Sequence, residues 1–347
     1  MRSAAVDFDL VLVSFVEAPG PIPAELTEIC VEVVTVGRPG THALPSTHRP
    51  DTVEEFDSPA FHQALQQTVA KWRPGIVQIE FTQMAQYAPD CGSAATILVE
   101  HDITYDLYAQ MLANQEDWEN RRQFHRWVPF EQAAWGSVTR VVTMSEQDRR
   151  KIPGSAAIPN GVDLERFRPS SDAPVPRRLL FIGSFAHRPN VLAIEFFLRE
   201  VRPLLKGVTL HVIAGRDYTR FWDLQQEGVE VEGFVSDVRP AYHRATAVIA
   251  PLVASAGTNI KILEAMAMGK AIVSTESGIH GLALDPGRDV LIANQPGEFA
   301  AAVHRLLDSP AEREAVETHA RRSAEERYGW DAIAREQKKL YELLLRG

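Results

Sequence analysis

The sequence predicts an α/β protein made of two Rossmann-like domains, each built on a parallel sheet. Its 347 residues exceed a single ordinary domain of roughly 100–200 residues. Short apolar, β-branched runs alternate with helical patterns along most of the chain, the pattern left by parallel strands joined through helices. Between the two halves, residues 152–178 hold Pro153, Pro159, Pro169, Pro174 and Pro176 together with Gly154 and Gly161. Proline and glycine at that density interrupt regular structure and mark a linker.

Taken in order, the first half offers strands near Leu10 to Phe15, Val31 to Val36, Ile76 to Ile79, Thr96 to Val99 and Arg140 to Thr143. Helices are expected near Val53 to Trp72 and Asp106 to Ser137. The second half repeats the theme near Leu179 to Ile182, Thr209 to Ala214, Val229 to Val231, Ala247 to Ala250, Ala271 to Ser274 and Val290 to Ala293, enough for a complete Rossmann-like domain. Amphipathic helices follow around Glu298 to Leu307, Ala311 to Tyr328 and Trp330 to Leu345. The last carries Ile333, Leu340, Tyr341 and Leu344 at mostly helical spacing, so one face is buried. The expected boundaries are 1–155 for the first domain, 156–178 for the linker, 179–328 for the second domain, and 329–347 for a helix returning to the first.

Composition removes several classes of function. With 45% hydrophobic and 24% charged residues, 21 Gly and 22 Pro, the chain is neither disordered nor collagen-like. A net charge of −10 lacks the basic footprint of a nucleic-acid binder. Cys30 and Cys91 are the only cysteines and form no CxxC pair, which excludes a disulfide framework and favours a cytoplasmic address without structural zinc. The apolar run Leu10 to Val16 follows Asp7 and Asp9 and precedes Glu17, so it reads as a strand and not as a signal peptide. The stretch from Ala245 to Gly257 contains Pro251 and is too short to span a bilayer. Asp7-Phe-Asp9 copies a metal-binding Asp-x-Asp but precedes its strand, and no other His or carboxylate group has ligand spacing, so no metal is expected. Trp118, Trp127 and Trp135, interleaved with Arg121, Arg122, His125 and Arg126, hint at a membrane-facing helix; their spacing does not hold one stripe, which favours ordinary packing.

The richest stretch runs from Pro251 to Gly269. A strand ends near Pro251, a loop of small residues follows through Ser255, Ala256 and Gly257, Thr258 is placed to cap a helix, and Gly269 to stop it. Backbone N–H groups at such a helix start form an anion site suited to a diphosphate. Lys261 and Glu264 lie on one face of this helix. A cation in the first turn opposes the helix dipole and makes sense beside a phosphate; the other reading is an i, i+3 salt bridge on a solvated surface. A second strand-to-helix turn spans Phe181 to Asn190, with Gly183 allowing close approach, Pro189 at the first helical position, and His187 and Arg188 near its mouth. Further glycine turns end strands at Ile213 to Asp217 and Glu232 to Asp237. His101 follows a strand in the first half, where it either packs or meets a ligand.

Together, Ile158-Pro-Asn-Gly-Val-Asp163, Gly183-Ser-Phe with Pro189-Asn190, Gly233-Phe-Val, and the run from Gly257-Thr-Asn-Ile-Lys-Ile-Leu-Glu-Ala-Met-Ala to Thr275 resemble the group 1 glycosyltransferases, also called family four. The resemblance extends from about Pro74 to the C-terminus. It implies the GT-B fold, two Rossmann-like domains with parallel sheets facing across a cleft, the first on the acceptor side and the second binding a nucleotide sugar. It implies a retaining, metal-independent hexosyltransferase that needs no cofactor beyond a nucleotide-diphosphate sugar as co-substrate. By the same resemblance Glu264 holds the donor ribose, Lys261 the diphosphate, and His101 reaches the donor sugar. Gly183, Ser184, Arg216, Phe234, Val235, Gly257, Thr258, Asn259 and Ile260 complete the donor site. The implied acceptor is a glycan or lipid-linked sugar in bacterial surface polysaccharide synthesis, the latter bringing peripheral contact with the inner face of the membrane. The chain departs from the family at Ala256, where relatives often carry a second glutamate, and at Ser184, where they often carry arginine. It also begins at what would be their second strand, so the first domain is expected to lack the first strand and its glycine-rich loop, as a trimmed product or a segment of a longer protein would. The competing functions are a sugar-nucleotide 2-epimerase and a catalytically weak sugar-nucleotide-binding or partner module.

Overall fold

A computed structural model describes residues 1–38, 48–114, 116–255 and 257–346. The chain divides into two compact units, Met1–Ile158 with Ile333–Gly347, and Pro159–Ala332.

In the first unit, β1 (Val11–Val16) and β2 (Glu32–Gly37) pair with each other in parallel, Val11 opposite Glu32. A second parallel sheet is formed in the order β3 (Ile76–Glu80), β4 (Ala95–Glu100), β5 (Arg140–Thr143) and β6 (Ala156–Ala157). The helices are α1 (Ala24–Ile29), α2 (Asp51–Glu55), α3 (Pro59–Trp72), α4 (Thr104–Asn114), α5 (Trp118–Gly136) and α6 (Glu146–Arg149). Val13, Phe15 and Val36 pack against Phe61, Leu65 and Ile79, so the two sheets share one core. The helix expected near Val53 to Trp72 is broken in two. Ser58 is extended, its hydroxyl accepts from the Phe61 N–H at 3.4 Å, and Pro59 opens α3, which together make a new helix start. The helix expected near Asp106 to Ser137 is divided for the same reason: Asp117 Oδ1 accepts from Asn120 N–H at 2.9 Å and caps α5.

The second unit contains β7 (Arg178–Ile182), α7 (Arg188–Phe196), β8 (Thr209–Ile213), β9 (Val229–Glu232), α8 (Arg239–Arg244), β10 (Ala247–Ala250), α9 (Ile260–Ala267), β11 (Ile272–Ser274), β12 (Leu291–Ile292), α10 (Pro296–Asp308) and α11 (Pro310–Arg327). Its sheet is parallel throughout, in the order β12-β11-β10-β7-β8-β9. Leu179, Leu180 and Phe181 of the central strand are fully buried on both faces, as a parallel sheet covered by helices on each side requires. The chain leaves β7 toward β8 and β9, returns to β10, and then continues on the other side. Successive connections therefore diverge between β7 and β10, and in an open α/β sheet ligands bind at the carboxyl ends of the strands at such a reversal.

Residues 156–178, expected as a linker, are shared between the units. Ala156–Ala157 complete the first unit's sheet, while Val162 and Phe167 are buried in the second, where Val162 N–H donates to the Tyr328 carbonyl at 2.7 Å. The last helix, α12 (Trp330–Arg346), buries Ile333 and Leu340 among Ile97, Val99, Val142, Met144 and Ile158 of the first unit. Among the described residues no helix is long and apolar enough to cross a membrane. Truncating a buried leucine removes its transfer free energy and leaves a cavity, so Leu340→Ala is expected to cost about 2–5 kcal/mol. Urea unfolding should show that loss as an earlier transition of the first unit, with the second unit's transition unmoved.

Candidate functional site

The reversal point of the second unit is assembled by two turns, one after β7 and one after β10. An ideal Cβ on Gly183 would lie 2.6 Å from Asn190 Cγ, so glycine is what lets the Asn190 side chain fold back across the first turn. The buried Asn190 amide donates through Nδ2 to the Ser184 carbonyl at 2.9 Å, and its Oδ1 accepts from Lys261 Nζ at 2.8 Å. Lys261 Nζ also lies 4.9 Å from the Phe181 ring centroid. One asparagine thus ties the turn after β7 to the first turn of α9.

In the second turn, Gly257 has φ +63, in the left-handed region that favours glycine. The helix begins one residue later than a Thr258 cap requires: Asn259 occupies the cap position, and Thr258 Oγ1 is buried without a hydrogen-bond partner among the described residues. Asn259 does not cap the helix through its side chain either. Its Nδ2 donates to Ser255 Oγ at 3.0 Å and to the Gly278 carbonyl at 2.8 Å, stapling the loop to the turn after β11. With no side-chain cap and no acidic residue in the first turn, the start of α9 is electropositive, and Lys261 adds to that charge. Ala256 lies outside the described residues.

Glu264 sits one turn further along α9. The hydroxyl of the fully buried Tyr242 donates to Glu264 Oε2 at 2.9 Å, with the Lys261 carbonyl 3.2 Å away. Burial raises the Glu264 carboxyl above its usual value; the Tyr242 bond and the charges of Arg166 and Lys261 offset only part of that. Burial pushes the half-buried Lys261 ammonium down to about 8, with Glu264 acting in the opposite direction. α9 is therefore not a solvated surface helix: Ile262, Leu263, Ala265 and Met266 are fully buried, Lys261 is engaged by Asn190, and Glu264 by Tyr242.

On the flank formed by β8 and β9, Phe234 is 60% exposed and the Arg216 guanidinium lies 4.5 Å from its ring centroid. Val235 packs against the core beneath. Ser184 is exposed at the edge of the first turn, and Ile260 is exposed at the start of α9. His101 belongs to the first unit, where Nε2 lies 2.8 Å from Glu80 Oε2 and the ring stacks on Phe81 at 4.3 Å between centroids. Among the described residues no group of three His, Cys, Asp or Glu side chains could hold a metal ion, and Asp7 accepts from Lys338 Nζ at 2.6 Å.

The residues clustered in the second unit lie inside a segment with known relatives. Residues 176–309 match the family of group 1 glycosyl transferases. The MMP α-(1→4)-mannosyltransferase of Mycolicibacterium hassiacum is 26% identical over 284 residues, covering 70% of this chain and 64% of that protein. An uncharacterized glycosyltransferase of Methanocaldococcus jannaschii is 29% identical over 183 residues, covering 49% and 45%. The chain thus spans less than two thirds of the length of these relatives. Among solved structures, sucrose-phosphate synthase from Thermosynechococcus elongatus superposes with a TM-score of 0.79 at 20% identity, over 99% of this chain and 90% of that one. Anabaena HepE in complex with UDP-glucose gives 0.69 at 14% identity, over 95% and 91%. The two Rossmann-like units with parallel sheets have the GT-B fold.

Two residues of the site escaped sequence reasoning as ligands of its charged groups. Asn190 was visible only as part of a strand-to-helix turn, and Tyr242 carried no local signal, because its partner Glu264 is 22 residues away. Gly183→Ala is expected to cost about 1–3 kcal/mol through overpacking against Asn190. Thermal unfolding should show Gly183→Ala with Asn190→Ala costing less than the sum of the two, because the second change makes room for the first.

Proposed function

We propose that the protein transfers a hexosyl unit, with retention of configuration and without a metal ion, from a nucleotide-diphosphate sugar to a glycan or lipid-linked acceptor in surface polysaccharide synthesis. The observation that carries this reading is the start of α9, without a side-chain cap and with Lys261 beside it at the strand reversal. As the bond from sugar to diphosphate breaks, negative charge grows on the departing diphosphate. Fixed N–H dipoles and an ammonium already in place stabilise that charge without reorganising. Glu264, held by Tyr242, accepts hydrogen bonds from the ribose hydroxyls, the Phe234 and Arg216 flank lies against the base, and His101 serves the transferred sugar.

The match of residues 176–309 to group 1 glycosyl transferases, the mannosyltransferase relative and the UDP-glucose complex of HepE support a sugar nucleotide as donor. A lipid-linked acceptor would bring the enzyme to the inner face of a membrane as a peripheral protein. A thermal-shift screen of uridine- and guanosine-diphosphate sugars tests the donor, since a ligand at a hundred times its Kd adds about 2.7 kcal/mol of stability. NMR of the anomeric proton in the product then tests retention. An inverted product removes that part of the reading; an epimerised donor, or binding without turnover, replaces transfer altogether.

Lys261→Ala is expected to weaken nucleoside-diphosphate binding about ten- to a hundredfold by calorimetry, the loss of one charge-assisted contact. The same residue sets a pH dependence. Below about 8 the ammonium is charged and attracts the diphosphate; as pH rises through that value the charge is lost. Affinity should therefore fall between neutral pH and pH about 9 in the unaltered protein, while Lys261→Ala flattens that fall.

A further inference from the structure

The first unit carries a hydrogen-bonded chain that ends on His101 and begins on the last helix of the protein. Glu80 closes β3 and pairs with Val99 of β4, which places it beside the turn that carries His101. At the far end of the chain, the Tyr341 hydroxyl of α12 donates to Gln78 Oε1 at 2.5 Å, and Gln337 Nε2 donates to the same oxygen at 3.1 Å. With its oxygen so engaged, Gln78 directs its amide N–H to Glu80 Oε1. Turning the amide over would set its oxygen against the carboxylate and its N–H groups against the donors on α12. Glu80 Oε2 then meets His101 Nε2 at 2.8 Å.

The carboxylate of Glu80 accepts from both of its neighbours in this chain. Partial desolvation raises the half-exposed Glu80 carboxyl, but the bonds from His101 and Gln78 outweigh it and hold the group below its usual value. Burial and the nearby Glu80 push the Tyr341 hydroxyl the other way, so it remains a donor. An ionised carboxylate only accepts, so His101 Nε2 is the donor of this bond and Nδ1 is the ring nitrogen left for another partner. Among the described residues Nδ1 makes no hydrogen bond. Phe81 adds a second restraint. Its backbone takes φ +69, a conformation that a bulky residue holds only where its surroundings fix it, and its ring stacks on the imidazole.

We propose that Glu80 and Gln78, anchored by Tyr341 and Gln337 of the returning helix, are positioning residues that hold the His101 ring in one orientation, Nε2 on Glu80 and Nδ1 presented to a sugar hydroxyl. The inference rests on the role given to His101 under the proposed function. None of these four residues needs to touch substrate; they act through the imidazole. The final helix is then part of the machinery of transfer as well as part of the core.

A double-mutant cycle on the full chain tests this, with UDP-glucose and GDP-mannose as probes and release of the nucleoside diphosphate as the readout of turnover. Glu80→Ala is expected to lower kcat about ten- to a hundredfold, as loss of a bond to a charged group does, with smaller losses for Gln78→Leu and Tyr341→Phe. KM for the sugar nucleotide and the calorimetric Kd for the nucleoside diphosphate should stay unchanged, because Lys261 and Glu264 are untouched. Added to His101→Ala, each of the three changes should cost nothing further. Losses that add to that of His101→Ala, or that appear in Kd instead of kcat, overturn the relay and leave the proposed function standing. If His101→Ala itself leaves kcat intact, the role given to His101 fails and the relay falls with it. Absence of turnover in the unaltered protein with both probes sinks transfer from these donors and the relay as a device for it.

Discussion

Parallel strands β7 and β10 are neighbours whose connections leave in opposite directions, and everything assigned to the second unit depends on that reversal. Helices on opposite faces cannot both cover the carboxyl ends of the two strands, so the turns after β7 and β10 stand side by side without a helix between them. Gly183 then brings Asn190 within reach of Lys261, and Gly257 bends the loop that starts α9. Neither turn builds this cluster alone. The first supplies an asparagine without a charge, and the second a lysine that needs an anchor.

Charge placement in this unit runs against local stability. An ammonium at the start of a helix opposes the helix dipole, and a carboxylate buried one turn later pays for desolvation. Each is held by a neutral partner, Asn190 and Tyr242, and not by a full counter-charge. Under the proposed function, such an arrangement keeps both groups available to a ligand that brings its own negative charge and hydroxyls. Strongly opposed pairs would instead have neutralised them in advance.

The first unit follows the same rule with different chemistry. Its side chains of interest also stand at the carboxyl ends of adjacent parallel strands, Glu80 on β3 and His101 just beyond β4. The C-terminal helix supplies the core residues Ile333 and Leu340 and, from the same element, the polar groups of Gln337 and Tyr341 that orient Gln78. Packing and polar orientation are coupled there, because the helix cannot leave the core without releasing the amide.

Much of this protein was legible in the sequence because it is local. Alternating apolar runs give parallel strands between helices, and the small-residue loop before Lys261 and Glu264 announces the start of a helix. The apolar face of the last helix announces burial without naming its partner. Helix breaks at Ser58 and Asp117 were missed, since a cap competes with a continuing helix through a single hydrogen bond that periodicity does not register. Thr258 was misplaced as a cap by one residue for the same reason. Only the tertiary structure decided strand order and the pairing of Asn190 with Lys261 across 71 residues and of Tyr341 with Gln78 across 263. The physical reason is that residue spacing along a chain fixes which face of an element a side chain occupies, whereas the identity of its partner depends on which elements the folded sheet makes neighbours.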